Sequence, residues 1–91
     1  MAIRVGNLWV DYDDSTDVLY LSIGEPRPAV THEDEEDDNL LIRKDPQTGE
    51  TIGVTILEYY NRFRLLPDLS WLATRGLPSE VLRYLKDRPI L

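Results

Sequence analysis

Apolar and polar residues alternate with a period of two along several stretches of this chain, the spacing of a strand that buries one face. Residues 5–11 open the pattern: Leu8, Val10 and Tyr12 fall on one side, with Trp9, Asp11 and Asp13 on the other. Asp13, Asp14, Ser15 and Thr16 follow. Their side chains hydrogen-bond nearby backbone groups, so a turn and a hairpin are predicted here. Residues 17–23 give the clearest strand, with Leu19, Leu21 and Ile23 opposite Val18, Tyr20 and Ser22, and both faces carry apolar weight. Pro26 and Pro28 interrupt the ladder, and residues 29–32 resume as a short edge strand.

Residues 40–42 and 51–57 predict two further strands, the second with Ile52, Val54 and Ile56 facing the core. Between them Pro46 presets a type I turn and Gly49 supplies a positive φ. The pattern then changes period. Residues 59–64 leave the sheet in a helical turn before Pro67, and residues 78–88 form a short helix. Pro78 suits its start, Glu80 and Lys86 suit its two ends, and Pro89 stops it. Leu77, Val81, Leu82 and Leu85 make one apolar stripe on that helix, which buries against the sheet or against another chain. The expected architecture is α+β: a small antiparallel sheet of about four strands in hairpins, with one or two C-terminal helices.

At 91 residues the chain supports one core, and its 42% hydrophobic content suffices to build it. Residues 1–91 are therefore read as a single domain. Its acidic sheet part, residues 1–58, has a net charge of -10, and its basic, apolar tail, residues 59–91, a net charge of +3. The whole carries -7, which disfavours binding to phosphate backbones and so argues against nucleic acid as a direct partner. The chain has no cysteine, no secretory leader pattern and no apolar run long enough to span a bilayer. The expectation is a cytoplasmic protein with no membrane association and no cofactor.

The run from Tyr12 and Asp13 through Asp17 to Leu19, Tyr20 and Leu21 resembles the signature of a bacterial and archaeal domain-of-unknown-function family, numbered twenty-two eighty-three. That signature is a tyrosine, an aspartate, three variable residues, an aspartate and a leucine-tyrosine strand. The likeness continues through residues 39–57 and covers half to two thirds of the chain. It implies a small antiparallel sheet with a helix and hands over no activity or functional residue. Some members look like partners of small toxin-like proteins, so an antitoxin-like role is an implication of the resemblance alone.

Two acidic clusters and one apolar one remain as candidate chemistry. Asp11, Asp13, Asp14 and Asp17 offer hard oxygen ligands for a divalent metal, yet a calcium loop starting at Asp11 has Thr16 where glycine is required and Ser22 where a bidentate glutamate belongs. Turn formation is the plainer use of these residues. His32 heads six consecutive acids, Glu33, Asp34, Glu35, Glu36, Asp37 and Asp38, read as a solvated loop that shields a sheet edge or offers charge to a basic protein.

The only histidine is His32, and no phosphate loop or serine nucleophile motif occurs, so catalysis has little to stand on. The aromatic residues Trp9, Tyr20, Tyr59, Tyr60, Phe63, Trp71 and Tyr84 exceed what so small a core readily buries, and some of them mark an interface. Trp71, with Leu77, Val81 and Leu85, leads the candidates for partner contacts. The expected function is a protein-binding or self-associating module, a homo-oligomer or the partner of a basic protein. The alternative is a metal-binding or hydrolytic protein using Asp11, Asp13, Asp14 and Asp17.

Overall fold

A computed structural model of the chain describes residues 2–35, 37–67 and 77–87. Among these residues six strands form one fully antiparallel sheet: β1 (Ala2–Val5), β2 (Leu8–Asp13), β3 (Val18–Ile23), β4 (Val30–Glu33), β5 (Leu40–Lys44) and β6 (Thr51–Leu57). The spatial order β1-β2-β3-β6-β5-β4 describes two three-stranded meanders that meet along β3 and β6. Helices α1 (Tyr59–Leu65) and α2 (Ser79–Asp87) follow the sheet.

The α+β class and the antiparallel pairing match the sequence pattern, whereas the strand count of about four falls short. The strand predicted at residues 5–11 spans the turn of the hairpin β1–β2, whose first strand, Ala2–Val5, adds to the count. Val5 pairs with Leu8 across a two-residue turn, and Gly6 holds φ +59° at its first central position, a conformation that costs glycine nothing. The turn after β5 closes as expected, with Gly49 at φ +76° donating its N–H to the Asp45 carbonyl at 2.9 Å.

One face of the sheet carries the core. Leu8 and Val10 of β2, Leu19 and Leu21 of β3, Val54 and Ile56 of β6 and Leu40 of β5 are buried there with Tyr59 of α1. The stripe Leu77, Val81 and Leu85 joins the same cluster with Tyr84, so α2 packs on its own sheet. Burying these side chains removes most of their apolar surface from water, worth about 1.5 to 3 kcal/mol each. Leu77, Val81 and Leu85, the candidates for partner contacts, are thus buried in this cluster. Their surface is spent inside the fold. Trp71 lies outside the described residues.

The second face has alternate residues of the same strands. Antiparallel register aligns Arg4, Trp9, Ser22, Gly53, Arg43 and Thr31 in one row across all six strands. The next row, two residues along, is Ala2, Asp11, Tyr20, Thr55, Leu41 and Glu33. Both helices lie on the opposite side with the core cluster.

Candidate functional site

The four carboxylates near the β2–β3 turn do separate jobs. The Asp13 carboxylate accepts from the Ser15 N–H at 3.0 Å and the Ser15 hydroxyl at 2.6 Å, which closes the turn. Hydrogen bonds from the side chains of Ser15 and Thr16 hold its carboxyl below the ordinary range, against burial, which raises it. Asp14 is exposed, and Asp11 stands on the second face of the sheet.

Asp17 links three elements. It occupies the left-handed region at φ +57°, which aspartate tolerates better than most residues. Its Oδ1 accepts from the Tyr12 hydroxyl at 2.7 Å and the Tyr60 N–H at 2.7 Å, and its Oδ2 accepts from the Asn61 N–H at 3.2 Å. The Asp17 carbonyl takes the Tyr59 N–H at 3.0 Å. Glu58, at the N-cap of α1, makes no side-chain capping bond. Asp17 therefore caps α1 from a distant hairpin, satisfying the N–H groups that a helix leaves without internal partners.

Burial opposes ionisation of Asp17, yet the three donated hydrogen bonds outweigh it and hold the carboxyl below its usual range. Burial and the adjacent Asp17 charge push the Tyr12 hydroxyl up to about 12. Tyr12 meets Tyr59 edge-on at 6.4 Å, and Tyr59 stacks on Phe63 at 6.0 Å. The Tyr59 hydroxyl is buried without a hydrogen-bond partner, and that burial raises its pKa. The signature residues Tyr12, Asp13 and Asp17 thus serve the turn and the helix start.

The second acidic run is less of a solvated loop than its charge suggests. Glu33 belongs to strand β4, which sits at the sheet edge and exposes all four of its residues. Asp34 and Leu40 continue the ladder, with the Asp34 N–H bonded to the Leu40 carbonyl at 3.0 Å. Asp37 is only 8% exposed. Its Oδ1 accepts from the Asn39 N–H at 3.0 Å and from Nη1 of Arg62 on α1 at 2.7 Å. One acid of the run therefore ties the β4–β5 connection to α1, because an inward carboxylate needs a charged partner. His32, Glu33, Asp34 and Glu35 line a groove of about 250 Å³ with Ile42, Lys44 and Thr51. Glu36 lies outside the described residues. Among the described residues, no three His, Asp or Glu side chains gather as a metal ion requires.

A third feature was not singled out from the sequence. A groove of about 300 Å³ opens on the second sheet face, lined by Trp9, Asp11, Tyr20, Ser22, Pro26 and Arg43. Tyr20 stands 41% exposed, and the Arg4 guanidinium lies over the Trp9 ring at 5.4 Å. The Arg43 guanidinium crosses Gly53, where an added Cβ would sit 3.2 Å from Cζ of Arg43. Arg27 pairs with Asp45 at 3.2 Å and pins the loop that brings Pro26 to the rim. The available signal was the apolar weight on both faces of residues 17–23, which a strand with one solvated face does not need.

The arrangement defines a class: a six-stranded antiparallel sheet roofed on one side, with an aromatic groove on the other and its turn carboxylates committed to holding the fold. The model of the family of proteins of unknown function DUF2283 matches residues 9–59, more than half of the chain, and the chain belongs to that family. The match runs from β2 to the first residue of α1 and takes in Tyr12, Asp17 and Tyr59, while Tyr60 and Asn61, whose N–H groups complete the Asp17 clamp, follow just beyond it. No curated protein and no solved structure matches the chain. Among the described residues, no helix is long and apolar enough to cross a membrane.

Proposed function

We propose that this chain is a non-catalytic protein-binding module whose contact surface is the second face of the sheet. The observation that carries the reading is the groove walled by Trp9 and Tyr20, two large aromatic side chains on a face that neither helix covers. Aromatic and arginine side chains around a shallow groove are the residue types that dominate protein contacts. The carboxylates of Asp13, Asp17 and Asp37 support it from the other side, since each is taken up by donors of the protein itself.

A photo-crosslinking phenylalanine analogue placed at position 20, in the cells that make the protein, tests this. The same analogue at position 60 is the control, because Tyr60 is 43% exposed against 41% for Tyr20 but lies on α1. A discrete covalent adduct from position 20 and none from position 60 is expected. Equal adducts from both positions, or none from position 20, overturn the reading.

The β4 edge supports a second contact, with a basic protein. All four of its residues are exposed, and the adjoining groove carries Glu33, Asp34 and Glu35. The analogue at position 32 should then yield an adduct that disappears at high salt. A salt-insensitive adduct argues against that contact.

A further inference from the structure

We propose that the partner seated on the second sheet face is another copy of this chain, joined through a twofold axis that runs across the strands. The inference rests on the reading above, that this face is a contact surface, and names its occupant. The two central rows carry charge of opposite sign. Arg4 and Arg43 stand in the row of Trp9, and Asp11 and Glu33 stand in the row of Tyr20, two residues and about 7 Å further along the strands.

A twofold axis between the rows lays each over the other row of the partner subunit. Each arginine then comes one strand away from a carboxylate, about 4.8 Å sideways. Arg4 meets Asp11 of the partner subunit, and Arg43 meets Glu33 of the partner subunit. The same operation sets Tyr20, 41% exposed, over Ser22 of the partner subunit.

Charge selects the occupant. Two copies carry -7 each and repel over most of their surfaces. On these rows two arginines balance two acids, so like molecules can approach here. An isologous contact needs such self-complementarity. The strands of the two sheets come out aligned, the common mode of sheet-on-sheet packing. Six strands make a face about 24 Å across, the small end of stable interfaces, so the dimer is expected to form in the micromolar range.

Light scattering of the full chain from about 1 μM to 1 mM tests this. The mass should climb from 10.5 kDa toward twice that value. Arg43→Glu and Glu33→Arg each set like charges across the axis and should weaken association about a hundredfold. Circular dichroism checks that both variants stay folded. Mixed in equal amounts, the two variants pair opposite charges again, and the dimer should return.

A monomer at every concentration, a dimer indifferent to both substitutions, or a mixture that stays monomeric overturns the proposal. The reading beneath it fails separately. An adduct from position 20 to a different protein, with a monomeric mass, leaves the contact surface standing and removes the second copy. No adduct from position 20 removes the contact surface itself.

Discussion

Tyr20 and Leu21 are neighbours on β3, and they belong to different worlds. Leu21 is fully buried in the core cluster, while Tyr20 is 41% exposed on the opposite side of the same strand. One residue of displacement moves a side chain from the core face to the other. On Leu21's side lies the core cluster, with Leu8, Val10, Leu19, Val54 and Ile56 of the sheet beside Tyr59 and α2. On Tyr20's side lie aromatic rings, arginines and acids, with Gly53 kept low beneath Arg43. The contrast teaches that the apolar core gathers on one face, while exposed side chains of the other, Tyr20 first among them, are free to serve contact.

Substitution on the covered face should do the most damage. Leu21→Ala removes a fully buried side chain and leaves a cavity in the core cluster, at a cost of about 3 kcal/mol. In a domain of this size that lowers the melting temperature by more than 10 °C. Thermal unfolding followed by circular dichroism measures it, and a loss below about 1 kcal/mol would mean that the core face does not carry the fold.

The Asp17 clamp comes next, where the β2–β3 turn meets the helix layer. Asp17→Ala removes the cap of α1, strips the Tyr12 hydroxyl of its acceptor and puts alanine at φ +57°. Together these cost about 2 kcal/mol. Asp17→Asn keeps an acceptor and tolerates the backbone angle, so it should cost less than half as much. The charge has its own signature. The folded state lowers the Asp17 pKa, so the carboxylate stabilises above the ordinary aspartate range and that stabilisation fades as pH falls through the folded value. Wild type should lose stability between about pH 5 and pH 2 more steeply than Asp17→Asn. Parallel acid-unfolding curves for the two would refute this role for the charge.

Tyr59 predicts a change of opposite sign. Its hydroxyl is buried without a hydrogen-bond partner, so Tyr59→Phe removes an unmet polar group and keeps the ring contacts with Tyr12 and Phe63. Stability should rise by about 1 kcal/mol. A fall of that size in denaturant unfolding would show that the hydroxyl contributes favourably after all.

These elements differ in how far the sequence announces them. Period-two alternation placed β2, β3 and β6, and the glycine after Pro46 placed the β5–β6 turn, because both signals are local. The alternation over residues 5–11 marks one strand and runs across the turn at Gly6 and Asn7, because a two-residue turn scarcely interrupts it, and β1 goes unmarked. The acidic clusters misled for a different reason. Asp17 and Asp37 earn their roles from Tyr60, Asn61 and Arg62, more than twenty residues away, and no spacing rule within a cluster encodes such partners. Likewise the contact face is made of positions the alternation marks only as outward. Register across six strands had to be known before Arg4, Trp9, Ser22, Gly53, Arg43 and Thr31 became a row.

The smallest stability change is expected at Tyr20, and it sharpens the comparison most. Tyr20→Ser trims an exposed ring, so in dilute solution the melting temperature should move by no more than about 0.5 kcal/mol of stability allows. At high concentration the two proteins should separate. Association that favours the folded chain raises the melting temperature with concentration, so wild type should climb between about 1 μM and 1 mM while Tyr20→Ser stays flat. Tyr60→Ser is the matched control, because it removes a ring of equal exposure from α1 and should climb as wild type does. If Tyr20→Ser is as unstable as Leu21→Ala when dilute, the second face belongs to the folding machinery, and the division of labour between the two faces does not exist.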